Sequence, residues 1–111
     1  MFKSSKPITV QIQANITWQA YHDPKSDTWI AVCRALNLNA IGDTFAEMQE
    51  CANEAMALLF LDLFKTGELE AFLRTNSWRP RGELPEPGRL VRFDVPAEWR
   101  EAARSEDLVH A

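Results

Sequence analysis

Ile41-Gly42-Asp43-Thr44-Phe45 is where a run of β-like sequence stops and a long apolar helix begins. Thr44, with Glu47 three residues later, has the form of a capping box: the hydroxyl and the carboxylate each satisfy a backbone N–H left free at a helix start. Gly42 permits a tight turn off a strand. Upstream lie three β-like segments, and downstream lies a helix too apolar to stand alone. That order predicts an α+β fold: three or four mostly antiparallel strands, covered on one face by one long helix, with a short second helix.

Working backwards, the even positions from Ile8 to Ala20 are Ile, Val, Ile, Ala, Ile, Trp and Ala, while the odd ones between them are Thr and Gln, with one Asn. Such alternation predicts a single long strand with one buried and one wet face. His22 to Asp27 has turn chemistry, Trp29 to Cys33 should pair with the first strand as a hairpin, and Leu36 to Ile41 reads as a third strand.

Working forwards, the helix from Phe45 to about Lys65 places Phe45, Met48, Ala52, Ala55, Met56, Leu59 and Leu63 on one stripe, the face that should cover the sheet. From Ala55 onward Leu58, Leu61 and Phe64 add apolar groups off that stripe, so a second covering is needed. It can come from the later chain (Leu69, Phe72, Leu73, Trp78) or from a second copy. Gly67 can end the helix and Glu68 to Arg74 suits a short second one. Asn76 to Gly88, rich in Pro and Gly, reads as a connection; Val91, Phe93 and Val95 form a fourth strand; and Pro96 opens a short helix through about Arg104. These elements imply one domain over residues 1–111, with its core at about 8–95 and a short helix and tail at 96–111.

At 111 residues and 46% hydrophobic content, one packed core is the expectation. No run is long enough to span a membrane and the N-terminus lacks the apolar centre of a secretion signal, so a cytoplasmic protein with reduced Cys33 and Cys51 is expected. The formal net charge of −4 is located rather than spread: Met1 to Leu73 holds nine acids against five bases, and Arg74 to Ala111 balances seven against seven. No net basic stretch favours phosphate contacts, so direct nucleic-acid binding is not expected, whereas a basic protein partner is easy to accommodate.

Asp27-Thr28-Trp29-Ile30-Ala31-Val32-Cys33, Leu36-Asn37-Leu38 and Gly42-Asp43-Thr44-Phe45-Ala46-Glu47, followed by Ala52, Glu54-Ala55 and an apolar helix end, together resemble the HicB-like antitoxin family. The resemblance runs from about Ile8 to Val95. It implies a truncated RNase H-like sheet, no enzymatic activity, and neutralisation of a small basic ribonuclease toxin, HicA. Many members add a C-terminal helix-turn-helix or ribbon-helix-helix that binds their operator; the sixteen residues after Val95 are too few for either.

The residues themselves point the same way. Two-metal phosphodiester hydrolysis needs carboxylates converging from strand centres, and the first three strands hold none there. His22 and His110 have no evident nucleophile partner, and no close pair of metal-ligand residues stands out. Neither a catalytic residue, a metal site nor a cofactor is therefore expected. Asp23 and Asp27, with the exposed helix acids Glu47, Glu50 and Glu54, are the candidate partner-facing residues. Leu58, Leu61, Phe64, Trp78 and Trp99 are the candidate interface of a homodimer or higher oligomer. The competing expectation is a free-standing oligomeric scaffold or small-ligand binder with no toxin partner.

Overall fold

A computed structural model describes residues 6–101. The fold is α+β, with the strands in two sheets: β1 (Ile8–Gln13), β2 (Thr17–Asp23), β3 (Thr28–Cys33), β4 (Leu38–Gly42), α1 (Phe45–Thr66), α2 (Leu69–Thr75), β5 (Arg79–Pro80), β6 (Val91–Asp94) and β7 (Glu98–Glu101). The described residues gather into two compact units, residues 6–14 with 57–96 and residues 15–56 with 97–101, and α1 contributes its second half to the former and its first half to the latter.

In the first unit the strand order is β5-β1-β6. β6 runs parallel to β1, pairing Ile8 with Val91 and Val10 with Phe93, while β5 is antiparallel to its far end at Ile12 and Gln13. Phe60 and Phe64 of α1 pack on Phe93, with ring centroids 6.2 and 5.7 Å apart, and Phe72 of α2 bridges Phe60 and Trp78. Val10, Ile12, Leu69, Leu73 and Val91 complete this core.

In the second unit the order is β4-β3-β2-β7. β2, β3 and β4 form an antiparallel meander, as alternation and turn chemistry predict, and β7 lies parallel to β2. The register stacks Ala20, Ala31 and Ala40 in one cross-strand row. All three are buried. Met48, Ala52 and Met56 fill the space above, and the buried Trp18 indole donates its Nε1–H to Met56 Sδ at 3.2 Å.

The capping box forms. Glu47 N–H donates to Thr44 Oγ1, and the Glu47 carboxylate accepts from the N–H of Asp43, both at 3.1 Å. Gly42 is required for a reason other than turn flexibility: its φ is not positive, but a Cβ there would drive into the backbone N of Met48 and lie 2.8 Å from Glu47 C.

Four expectations are corrected. The alternating run Ile8 to Ala20 is two strands belonging to two sheets, broken at Ala14-Asn15-Ile16, although its even residues stay inward. Alternation reports which way side chains face, whereas ladder continuity depends on the partner strand. The third strand starts at Leu38, because Asn37 sits at φ 54° closing a turn onto Arg34 O. Asn tolerates that conformation without serious strain. The connection from Asn76 to Gly88 contains β5. Finally, Glu98–Glu101 is a strand and not the helix expected after Pro96; the remainder of that helix, to Arg104, and the tail lie outside the described residues. Trp99 explains the strand: it stacks on Trp18 at 5.6 Å and meets Phe45 edge-on at 5.9 Å, contacts that override a weak local helix preference.

The helix stripe also shifts. Its buried positions are Met48, Ala52, Met56, Phe60 and Phe64, so burial advances by four residues each time rather than by the average 3.6 of a straight stripe. Phe60 and Phe64 thus replace Leu59 and Leu63, which are only half-buried.

Candidate functional site

The acidic residues singled out by charge all belong to the second unit. Asp23 ends β2, and its carboxylate accepts from Lys25 N–H at 3.1 Å and from Ser26 Oγ at 2.8 Å, an Asx turn that closes the β2–β3 hairpin. The Ser26 hydroxyl, then the Lys25 N–H, hold the Asp23 carboxyl below its ordinary 3.8. Asp27, at φ 52°, reaches back to His22 Nε2 at 2.9 Å. Glu47 is taken up by the helix cap. Three of the five acids therefore shape the chain locally.

Glu50 and Glu54 are different. With Glu47 they occupy i, i+3 and i+7 on α1, so all three share one face of the helix. Both are exposed and neither forms an ion pair among the described residues. The helix start is placed against the hairpin by a train of rings: His22 on Trp29 at 5.2 Å, Trp29 edge-on to Phe45 at 5.0 Å. Asp23, Asp27 and Glu47 consequently sit toward one end of the sheet, and Glu50 and Glu54 follow one and two turns along the helix.

The other face of this sheet was legible only in part from sequence. Thr17 and Gln19 do point away from α1, as the polar ladder on the first strand predicts, but the register continues outward as Tyr21–Ile30–Ile41, with Val32 beside it. Ile41 is 59% exposed on β4, an edge strand of this sheet among the described residues. The signal is present in Ile30 and Ile41, each an outward-facing residue of its strand.

The expected oligomer interface is largely withdrawn. Phe64 and Trp78 are each 7% exposed, buried in the first unit's core, and half-buried Trp99 is committed to Trp18 and Phe45. Leu61 is half-buried, and only Leu58, at 65%, stands in solvent. Of the three helix residues placed off the stripe, only Phe64 lies on it once burial advances by four.

Of the two free thiols, Cys33 is fully buried and Cys51 half-exposed. Burial pushes the Cys33 thiol upward, keeping it neutral. We expect a thiol-specific reagent to label one cysteine of the native protein promptly, Cys51, and the second only on unfolding; peptide mapping of the labelled protein checks the order.

Among the described residues no three His, Cys, Asp or Glu side chains gather as a metal site, and no helix is long and apolar enough to cross a membrane. A groove of about 570 Å³ in the first unit runs beside α2, walled by Leu73, Arg74, Trp78, Arg79 and Leu84. Comparison with protein-family models, with curated proteins and with solved structures yields no match.

Proposed function

We propose that this chain is a protein-binding module of the HicB antitoxin kind, without catalysis of its own, that captures a small basic ribonuclease toxin. The observation that carries the reading is the exposed acidic face of α1, where Glu50 and Glu54 have no cationic partner among the described residues. A carboxylate pair left unneutralised on a rigid helix is complementary to Lys and Arg of a partner. The antiparallel β2-β3-β4 meander leading into α1 and the formed capping box, in the stretch that carries the resemblance, also support it.

Glu50 and Glu54 make the cleaner test, because Asp23, Asp27 and Glu47 hold local hydrogen bonds whose loss would disturb the fold. The double reversal Glu50→Lys/Glu54→Lys is expected to weaken capture of a co-expressed HicA-type toxin by about tenfold or more, with the native interaction falling as salt rises. Affinity co-purification and calorimetry read both. Unchanged capture by the reversed protein overturns the assignment of the face, and absence of any capture by the native protein overturns the function.

The second reading, a small-ligand binder, is favoured by the groove beside α2, which is large enough for a drug-sized molecule. Its Arg74 and Arg79 are matched by Glu70 and Glu83, so the walls show no net preference for either charge.

A further inference from the structure

We infer that the groove beside α2 binds short peptides with free termini, holding the carboxylate near the end of α2 and the ammonium group near its start; this takes the small-ligand reading of the groove as its premise and gives the ligand a chemical class. The charges around the groove are sorted by sign. α2 carries Glu70 in its first turn and Arg74 in its last. Beyond α2 the chain folds straight back: Ser77 N–H donates to Arg74 O at 3.1 Å and Trp78 N–H to Leu73 O at 2.8 Å, which sets Arg79, the first residue of β5, beside the end of the helix. The chain then runs toward the helix start, where Leu84 joins Glu70 in lining a second, smaller cavity with Phe64, Gly67 and Leu69. Arg74 and Arg79 therefore stand at one end of the groove, and Glu70 stands with Glu83, the neighbour of Leu84, at the other.

The acids and the bases do not close on each other. Among the described residues the side chains of Glu70, Arg74 and Glu83 form no ion pair or hydrogen bond. The guanidinium of Arg79 is aimed by its Nε–H, which donates to Gln13 Oε1 at 3.1 Å and leaves the two terminal nitrogens for a carboxylate.

Charge complementarity selects the occupant. A simple anion meets the glutamates, a simple cation meets the arginines, and a neutral molecule gains nothing from either pair. A ligand with opposite charges at its two ends satisfies both. Glu70 and Arg74 are separated by about 6 Å along the helix axis. A free amino acid, whose ammonium and carboxylate share one Cα, is too short to reach both ends, whereas about two or three extended residues, at about 3.5 Å each, are long enough. Between the ends, Trp78, Pro80 and Leu84 offer an apolar seat for a side chain. The peptide is held by its termini and not as an added strand, because Pro80 has no N–H to offer and Arg81 N–H is spent on Gln11 O at 2.7 Å.

Calorimetric titration of the full chain with the peptide Ala-Leu-Ala tests the assignment, beside the same peptide acetylated at its N-terminus, amidated at its C-terminus, or blocked at both. The free peptide should bind, and either single block should raise the dissociation constant by about tenfold or more, the loss of one charge-assisted contact. Arg74→Gln should weaken the free peptide and leave the amidated one unchanged; Glu83→Gln should weaken the free peptide and leave the acetylated one unchanged. Both side chains are exposed, so thermal unfolding of these variants should match the native protein. Amide spectra place the site: the indole N–H of Trp78 should shift on titration, and that of Trp18, in the second unit, should not. Binding of the doubly blocked peptide as tightly as the free one overturns the charge assignment while leaving a small-ligand groove, whereas no shift at Trp78 with either peptide at millimolar concentration overturns both. None of these results depends on toxin capture.

Discussion

Replacing Phe60 by alanine should destabilise the protein by about 3–5 kcal/mol, the range for deleting a fully buried aromatic side chain that neighbours cannot collapse to replace. Phe60 is 0% exposed. Its ring meets Phe72 edge-on at 5.9 Å and Phe93 at 6.2 Å, joining α1, α2 and β6 within the first unit. Alanine would leave a cavity facing two rings anchored on separate elements, each held by further contacts: Phe72 by Trp78 and Phe93 by Phe64. The neighbouring substitution Leu59→Ala is the control. Simple 3.6-residue spacing puts Leu59 on the buried stripe, whereas the structure leaves it half-buried, so its truncation should cost only about 1 kcal/mol. Urea unfolding of the two variants decides between the stripes. If Leu59→Ala proves the more damaging, the helix is not buried as described.

Gly42→Ala should cost about 2–3 kcal/mol, by overpacking against backbone that has no room to yield. A Cβ at this position would collide with Met48 N and sit 2.9 Å from Glu47 Cβ. Those atoms belong to the first turn of α1, which is fixed by the Thr44–Glu47 capping box and by Met48 N–H donating to Thr44 O at 3.0 Å. Relief therefore requires moving the helix start or breaking the cap. Gly67→Ala provides the contrast: it has open space around it and φ of +79°, so only left-handed backbone strain of about 1 kcal/mol is incurred. Thermal denaturation of both should show the larger loss at Gly42. Equal losses would mean that the junction between β4 and α1 is loose enough to absorb a methyl group.

The two substitutions show different degrees of legibility. Gly42 and the capping box could be read from five consecutive residues, because a helix start is satisfied by groups within one turn of it. The hairpin of β2 and β3 was equally legible, since turn residues and alternation are both local. Phe60 was not. A residue count along a helix assumes one straight stripe, and here burial steps by four because side chains of two separate cores claim successive positions. Trp99 was not legible either: nothing in Ala97 to Glu101 announces a strand, and its conformation follows from stacking on a residue eighty-one positions earlier.

The candidate site divides in the same way. Acidity, exposure and shared helix face follow for Glu50 and Glu54 from composition and 3.6-residue periodicity alone. That Asp23, Asp27 and Glu47 are occupied by Ser26, His22 and Asp43 N–H depends on turn and cap geometry. That Ile41 lies beside Ile30 and Tyr21, at an edge without charge, depends on strand order and register.

By itself the sequence determined the α+β class, the β-to-helix junction, the inward and outward sides of each early strand, and the charge carried on α1. These are consequences of spacing along a single element. Only tertiary structure decided that the alternating run belongs to two sheets, that Phe64 and Trp78 are buried in a core, and that β4 is an edge strand among the described residues. Those outcomes depend on which distant segment supplies the partner for each hydrogen-bonding edge and each apolar face, and local periodicity holds no information about that choice.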